Sequence, residues 1–179
     1  MSRTRYNATA RSLHWIVALL VIATIPVANI MQGEDIARET QDRLFIFHKN
    51  AGVIILLLVL VRLIWRVFNP APPLPHSMPA AQRLAAFATH WLLYGALLFM
   101  AVTGYLRVSA GGFPIELMEW LGLPYMVPES EAIEEAAQAA HSAGRFVLVP
   151  LILLHVAAAI YHAMRRDGVF RRIWPPLGR

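Results

Sequence analysis

Histidine is the residue type that gives this sequence its clearest chemical signal. Three of the seven histidines, His141, His155 and His162, fall within one apolar stretch near the C-terminus. A polar side chain inside a bilayer is costly and by default marks a functional site with a partner. Imidazoles bind metal ions, relay protons and form hydrogen bonds, so the spacing of the histidines has to indicate which partner they hold.

The spacing places the histidines at two depths. On a helix, His141 and His155 return to within about 40° of the same face and lie ~21 Å apart, and His162 falls on the same stripe. His48 begins another apolar stretch at the depth of His141, so these two form a predicted pair. The partner of His155 is left open by depth alone, because both His14 and His90 lie in that half.

The elements that carry these residues are membrane spans. The chain has 179 residues, of which 58% are hydrophobic, well beyond the share in a soluble domain. Four stretches meet the requirement of roughly 20 mostly apolar residues, and the first is expected to be a retained helix and not a cleaved signal peptide. The sequence therefore predicts an all-α, integral membrane four-helix bundle forming a single domain over 1–179, with spans at about 13–31, 44–68, 85–106 and 145–164.

The charges predict the orientation of these spans. The N-terminus, the middle connection and the C-terminal tail hold eleven of the 16 Lys and Arg residues, whereas the other two connections hold ten of the 11 acidic residues. By the positive-inside rule both termini face the cytoplasm. The basic excess is thus a topology signal, and nucleic acid is not an expected partner.

The connections have their own signals. Five prolines in "FNPAPPLPHSMPAAQR" favour an extended strap, and "PIELMEWLGLP" is typical of a short interfacial helix. Ser130 is placed to cap a helix that runs from Glu131 into the fourth span. Gly52 and Gly144, each one turn from a histidine, are expected to leave room beside His48 and His141 for a flat group.

Haem is the partner that best fits paired imidazoles on facing helices. The absence of cysteine excludes iron–sulfur clusters and C-x-x-C-H haem attachment. No H-E-x-x-H motif suggests zinc, and the four apolar cores lack the acids of a proton relay. Two imidazoles per iron leave no open position, which favours electron transfer over oxygen binding. Taken singly, His76, His90 and His162 are also explained as hydrogen-bonded packing residues.

Long segments of the chain resemble the bacterial cytochrome b561 family of di-haem membrane proteins. They are "RYNATARSLHWIVALLVIA", "FHKNAGVIILLLVLVRLIWR" followed by "PAPPLP", "ATHWLLYGALLFMAVTGYL" and "HSAGRFVLVPLILLHVAAAIYHAMRRDGVFRRIWP". The resemblance implies two b haems, with His14 and His155 as axial iron ligands on the cytoplasmic side and His48 and His141 on the periplasmic side. Cations within a turn of these ligands are candidate partners of haem propionates, namely Arg11, Lys49 and Arg145; each is equally well explained as a cation that snorkels to the membrane interface.

One type within this family is a superoxide oxidase, which passes electrons from periplasmic superoxide to ubiquinone in the bacterial inner membrane. If this chain has that activity, Lys49, Arg107 and Arg145 are the candidate patch for the superoxide anion, and His162 is the candidate contact of a quinone carbonyl. The ten acids on the periplasmic side argue against long-range attraction of an anion. They suit a basic redox protein, so an anchor subunit that links a periplasmic partner to the quinone pool is the alternative. A haem-free transporter is a third hypothesis.

Overall fold

The computed structural model describes residues 4–75 and 77–176 and contains five α-helices in that part of the chain. Four are long: α1 (Ala8–Ile30), α2 (Arg38–Phe68), α3 (Ala80–Ala110) and α5 (Glu131–Arg165). They are long and apolar enough to cross a membrane. The short helix α4 (Glu116–Trp120) precedes α5, and a 3₁₀ helix (Phe170–Arg172) follows it. The predicted all-α fold with four spans is confirmed.

The helices extend beyond the predicted spans because their ends are polar. The helix α2 begins at Arg38, where Arg38 and Asp42 form an ion pair one turn apart, a spacing that stabilises a helix surface. The helix α5 begins at Glu131, and its N-terminal amides are capped by the Ser130 hydroxyl, as predicted. Hydropathy identifies only the part of each helix that lies in lipid.

The four long helices form two packed pairs, α1 with α2 and α3 with α5, which are joined through contacts between α2 and α3. Among the described residues, no Cα atom of α1 or α2 lies within 8 Å of a Cα atom of α5. The space between those helices is filled at mid-depth by an apolar cluster built on Val17, Val21, Ile55 and Val59, with Ile152 packed against it.

The two ends of the bundle differ in their covering. The tail end comprises residues 4–7, the connection 69–79 and residues 166–176; the loop end comprises the connections 31–37 and 111–130. At the tail end, Arg5 and Arg11 donate hydrogen bonds to the carbonyls of Trp174 and Pro175, and the Trp15 indole donates to Ile173. The C-terminal segment is therefore fastened across the start of α1.

At the loop end, α4 is fastened to α2. Lys49 pairs with Glu116 at 3.0 Å, Asn50 donates to the same carboxylate, and the Leu117 amide donates to the Asn50 side chain. Burial tends to raise the pKa of Glu116, but hydrogen bonds from its own backbone amide, Lys49 and Asn50 hold that pKa below its usual value. The carboxylate is thus ionised at neutral pH, and the contact persists there.

Candidate haem site

Four of the predicted site residues come together as two pairs at opposite ends of the bundle. The imidazoles of His48 (α2) and His141 (α5) have ring centroids 6.2 Å apart near the loop end. Those of His14 (α1) and His155 (α5) have centroids 6.1 Å apart near the tail end. Each pair thus joins α5 to a helix whose Cα atoms lie more than 8 Å from those of α5 in the described part of the chain.

These distances suit a metal held between the two rings of each pair. With metal–imidazole bonds of about 2 Å and a nitrogen about 1 Å from its ring centre, two imidazoles on opposite sides of one metal have centroids ~6 Å apart. Near the His48–His141 pair, a Cβ atom added to Gly52 would meet no atom within 4 Å. The residues therefore fit a haem at each end.

The hydrogen bonds of the imidazoles support the same arrangement. The Nδ1–H group of His141 donates to the Met100 carbonyl at 2.9 Å, and the Thr103 hydroxyl lies 3.2 Å from that nitrogen. Such an Nδ1 bond fixes the ring and leaves Nε2 free for a metal. The Nδ1 atoms of His14 and His48 are buried without a hydrogen-bond partner.

His90 lies beside the tail-end pair. Its ring centroid is 5.3 Å from that of His155, which is shorter than the ~6 Å of two rings on opposite sides of one metal. Its Nδ1–H group donates to the Ala86 carbonyl one turn earlier in α3. The geometry therefore favours His14 over His90 as the residue opposite His155. His76 lies outside the described residues.

The glycines near His141 differ from the prediction. A Cβ atom on Gly144 would lie 2.5 Å from the Met100 sulfur and 2.9 Å from Phe99, so Gly144 serves the close approach of α5 to α3 and does not make room for a haem. Instead, Gly104 of α3 lies against the imidazole, where a Cβ would come within 3.1 Å of His141. Sequence reasoning missed Gly104 and Thr103, because both are on a helix without a predicted ligand.

The predicted cations have different surroundings. Arg107 lies close enough to act electrostatically on both His48 and His141. Lys49 is engaged by Glu116 and by the Pro114 carbonyl. Arg145 is exposed, with its guanidinium 4.8 Å from the centroid of Phe146. Arg11 is buried and bonded to the Pro175 carbonyl. Arg107 is thus the cation of the candidate patch with the most direct relation to the loop-end pair.

His162 lies at the tail end, where its Nδ1–H group donates to Asp167 at 2.6 Å. Partial burial tends to raise the pKa of Asp167, but hydrogen bonds from His162 and the Val169 amide hold that pKa below its usual value. A cavity of about 270 Å³ borders Asp167 and is also lined by Tyr161, Arg165 and the 75–79 connection. Asp167 is a partner of His162 that sequence reasoning did not single out.

Comparison with known proteins identifies the family of this chain. The sequence model of the family described as prokaryotic cytochrome b561 matches residues 5–176. The chain belongs to the prokaryotic cytochrome b561 family. Similar proteins include cytochrome b561 homolog 2 of Escherichia coli, which is 29% identical over 94% of this chain and 90% of the relative's chain. Cytochrome b561 homolog 1 of the same organism is 26% identical over 96% of this chain and 97% of the relative's chain. The probable superoxide oxidase CybB of Yersinia pestis is 25% identical over 96% of both chains.

Membership in the cytochrome b561 family defines the general activity. The family implies b-type haem and transmembrane electron transfer of the oxidoreductase class. With four helices able to span a bilayer, this cytochrome is a multi-pass bacterial membrane protein. The resemblance predicted from the sequence is thereby confirmed at the level of the family.

Proposed function

We propose that this cytochrome carries electrons across the inner membrane through two b haems, from superoxide on the periplasmic side to ubiquinone on the cytoplasmic side. The observation that carries the proposal is the presence of two histidine pairs at opposite ends of one bundle, with centroid separations of 6.1 and 6.2 Å. The basic tail end is assigned to the cytoplasm by the positive-inside rule.

In this proposal His14 and His155 bind the tail-end haem, and His48 and His141 bind the loop-end haem. A bound haem supplies a centre that gains and loses one electron at a time. The two histidines of each pair would hold the haem, with the imidazoles oriented by bonds such as that of His141 to Met100. The central apolar cluster would exclude water between the two haems.

At the loop end, Arg107 is the proposed attractive charge for superoxide. Two superoxide anions each give up one electron and become dioxygen, and one ubiquinone takes up the two electrons with two protons and becomes ubiquinol. Because Lys49 is already paired with Glu116, its charge contributes less. The acidic surroundings are screened beyond about 8 Å at physiological salt, so an anion that arrives near Arg107 is attracted locally.

At the tail end, His162 is the proposed contact of the quinone carbonyl. Its Nδ1–H group is occupied by Asp167, which leaves Nε2 as the nitrogen that meets a ligand. A carbonyl oxygen only accepts hydrogen bonds, so Nε2 has to carry a proton. The doubly protonated ring is cationic, and the neighbouring Asp167 carboxylate offsets that charge. The pair is therefore suited both to orient the quinone and to supply one of its protons.

Reduction of the purified protein by superoxide is expected to slow as ionic strength rises, because salt screens the attraction between Arg107 and the superoxide anion. The Arg107→Gln variant should be reduced several-fold more slowly and with a flatter salt dependence, whereas Arg145→Gln, with its exposed cation over Phe146, should change little. Stopped-flow absorbance of the haems measures both. Faster reduction at high salt in the unmodified protein would show repulsion and would overturn superoxide as the donor.

The second candidate is an anchor subunit that passes electrons between a periplasmic redox protein and the quinone pool. The acidic residues of the loop end favour it, because they suit a basic partner protein. The discriminating experiment supplies superoxide and ubiquinone to the isolated chain. Quinol formation without another protein supports superoxide oxidase, and reduction that requires a protein donor supports the anchor subunit. Absence of any reduced haem band would refute both.

The His90→Ala variant is expected to keep both haems, because His14 already provides the second ring at a suitable distance from His155. The ratio of haem to protein, measured as the pyridine haemochrome, should equal that of the unmodified chain. If His90→Ala loses a haem and His14→Ala does not, the tail-end pair is His90 with His155.

A further inference from the structure

Three arginines that the sequence does not predict as site residues gather near the tail-end histidines. Arg62 and Arg66 lie one turn apart on α2, with guanidinium carbons 5.3 and 5.9 Å from the ring centroid of Tyr94 on α3. Arg172, from the 3₁₀ helix, has its guanidinium 5.5 Å from the centroid of Tyr6 and donates to the Pro72 carbonyl. Two separate segments thus bring positive charge to one place.

These cations have no carboxylate partner in the part of the chain that the structure describes. The ion pairs found among residues 4–75 and 77–176 involve other side chains. The Nε atom of Arg172 is buried without a hydrogen-bond partner. Burial, opposed by Tyr6 and reinforced by repulsion from Arg66, holds the pKa of Arg172 below its usual value. Grouped, partly buried cations without a counter-ion are costly, which indicates an anionic ligand.

The position of the group indicates which anion it receives. Arg62 acts electrostatically on both His14 and His155, and Arg62, Arg66 and Arg172 all act on His90. The charges therefore lie on the side of the bundle where Arg62 reaches the pair that is proposed to hold a haem and where Arg66 and Arg172 reach His90. A b haem carries two propionate carboxylates, and a guanidinium fork matches a carboxylate in shape and charge.

We propose that Arg62, Arg66 and Arg172 form the site that receives the propionate carboxylates of the tail-end haem. The inference rests on the proposed binding of that haem by His14 and His155. The proposal adds these three residues to Arg11, the candidate predicted from the sequence, which donates a hydrogen bond to the Pro175 carbonyl. A phosphate of a lipid headgroup offers similar oxyanion chemistry, and the experiment is designed to separate the two sources.

The test uses the full-length holoprotein, produced with δ-aminolaevulinate that carries ¹³C in its carboxyl group, so that the haem propionates are labelled. Redox-difference infrared spectra then report the propionates as bands that move with the isotope. In Arg62→Gln, Arg66→Gln and Arg172→Gln we expect these bands to shift, and the tail-end haem to become harder to reduce because positive charge is lost. The loop-end haem should be unchanged. Arg83→Gln, an exposed cation at the same end, is the matched control and should match the unmodified protein.

Arg62→Lys guards against a variant that simply fails to bind haem. Lysine keeps the positive charge but loses the forked guanidinium. The proposal is supported if Arg62→Gln loses the tail-end haem while Arg62→Lys keeps that haem and shows a shifted propionate band. Isotope-sensitive bands that stay in place in all of the glutamine variants would overturn it, as would shifts confined to phosphate bands, which would assign the site to a lipid. If the unmodified protein itself is purified with only the loop-end haem, the assignment of a haem to His14 and His155 is refuted.

Discussion

Replacing His48 or His141 with alanine is expected to remove the loop-end haem and to leave the tail-end haem in place. Each imidazole provides one of two bonds to the same iron in the proposed arrangement, and the rings of the two pairs are separated by the apolar cluster around Val17 and Val59. Haem content per protein, from the pyridine haemochrome, should fall by about half, and the remaining haem should keep its own spectrum and potential.

His14→Ala is the reciprocal control, since it should spare the loop-end haem and remove the other. Far-ultraviolet circular dichroism and size-exclusion chromatography verify that each variant still folds. Loss of both haems from a folded His48→Ala chain, or of neither, would contradict the assignment of one pair to one haem.

Replacing His162 with alanine is expected to leave both haems bound and reducible but to slow their reoxidation by ubiquinone. A lost hydrogen bond to a charged group is worth about 1.5–3 kcal/mol, so the slowing should be about 10- to 100-fold. Asp167→Asn should slow the step less, because the imidazole remains while the charge that supports its protonated form is lost. Stopped-flow mixing of the reduced protein with quinone measures the rate.

The pH dependence adds a second criterion. Because the pKa of Asp167 is held below its usual 3.8, its carboxylate is charged throughout the neutral range and loses that charge only as the pH falls through this lowered pKa. Titration of Asp167 itself should therefore contribute nothing to the pH dependence of reoxidation in the neutral range. Met164→Ala, an exposed position two residues along α5, is the matched control. Unchanged reoxidation in His162→Ala would place the quinone elsewhere.

The sequence is sufficient to predict the helices that lie in lipid and the depth of each histidine. Depth follows from counting residues along a helix, which is why spacing alone pairs His48 with His141. Rotation about the helix axis and the separation between helices are not encoded in that count. His14 and His90 are therefore equivalent by depth, and the family resemblance is what selects His14 in the sequence. The structure adds the distances of their ring centroids to that of His155, which are 6.1 and 5.3 Å.

Charge partners are harder to predict because they come from distant parts of the chain. Lys49 is next to His48 in sequence, yet Glu116 from the third connection engages it. Arg62 and Arg66 are only topology signals in the sequence, since their relation to Tyr94 depends on how α2 packs against α3. The distance of Gly144 from His141 along the helix suggests a haem contact, whereas α3 occupies that side.

The fastening of the C-terminal segment across the start of α1 has a consequence for biosynthesis. Arg5, Arg11 and Trp15 leave the ribosome early, whereas the carbonyls that they bind, from residues 171 to 175, leave it after all four spans. Every span has been synthesised before these bonds form, so the start of α1 stays uncovered by the C-terminal segment until that segment has been made. Closure thus follows insertion of the bundle, and a chain cut after Arg166 keeps its four spans but lacks this seal.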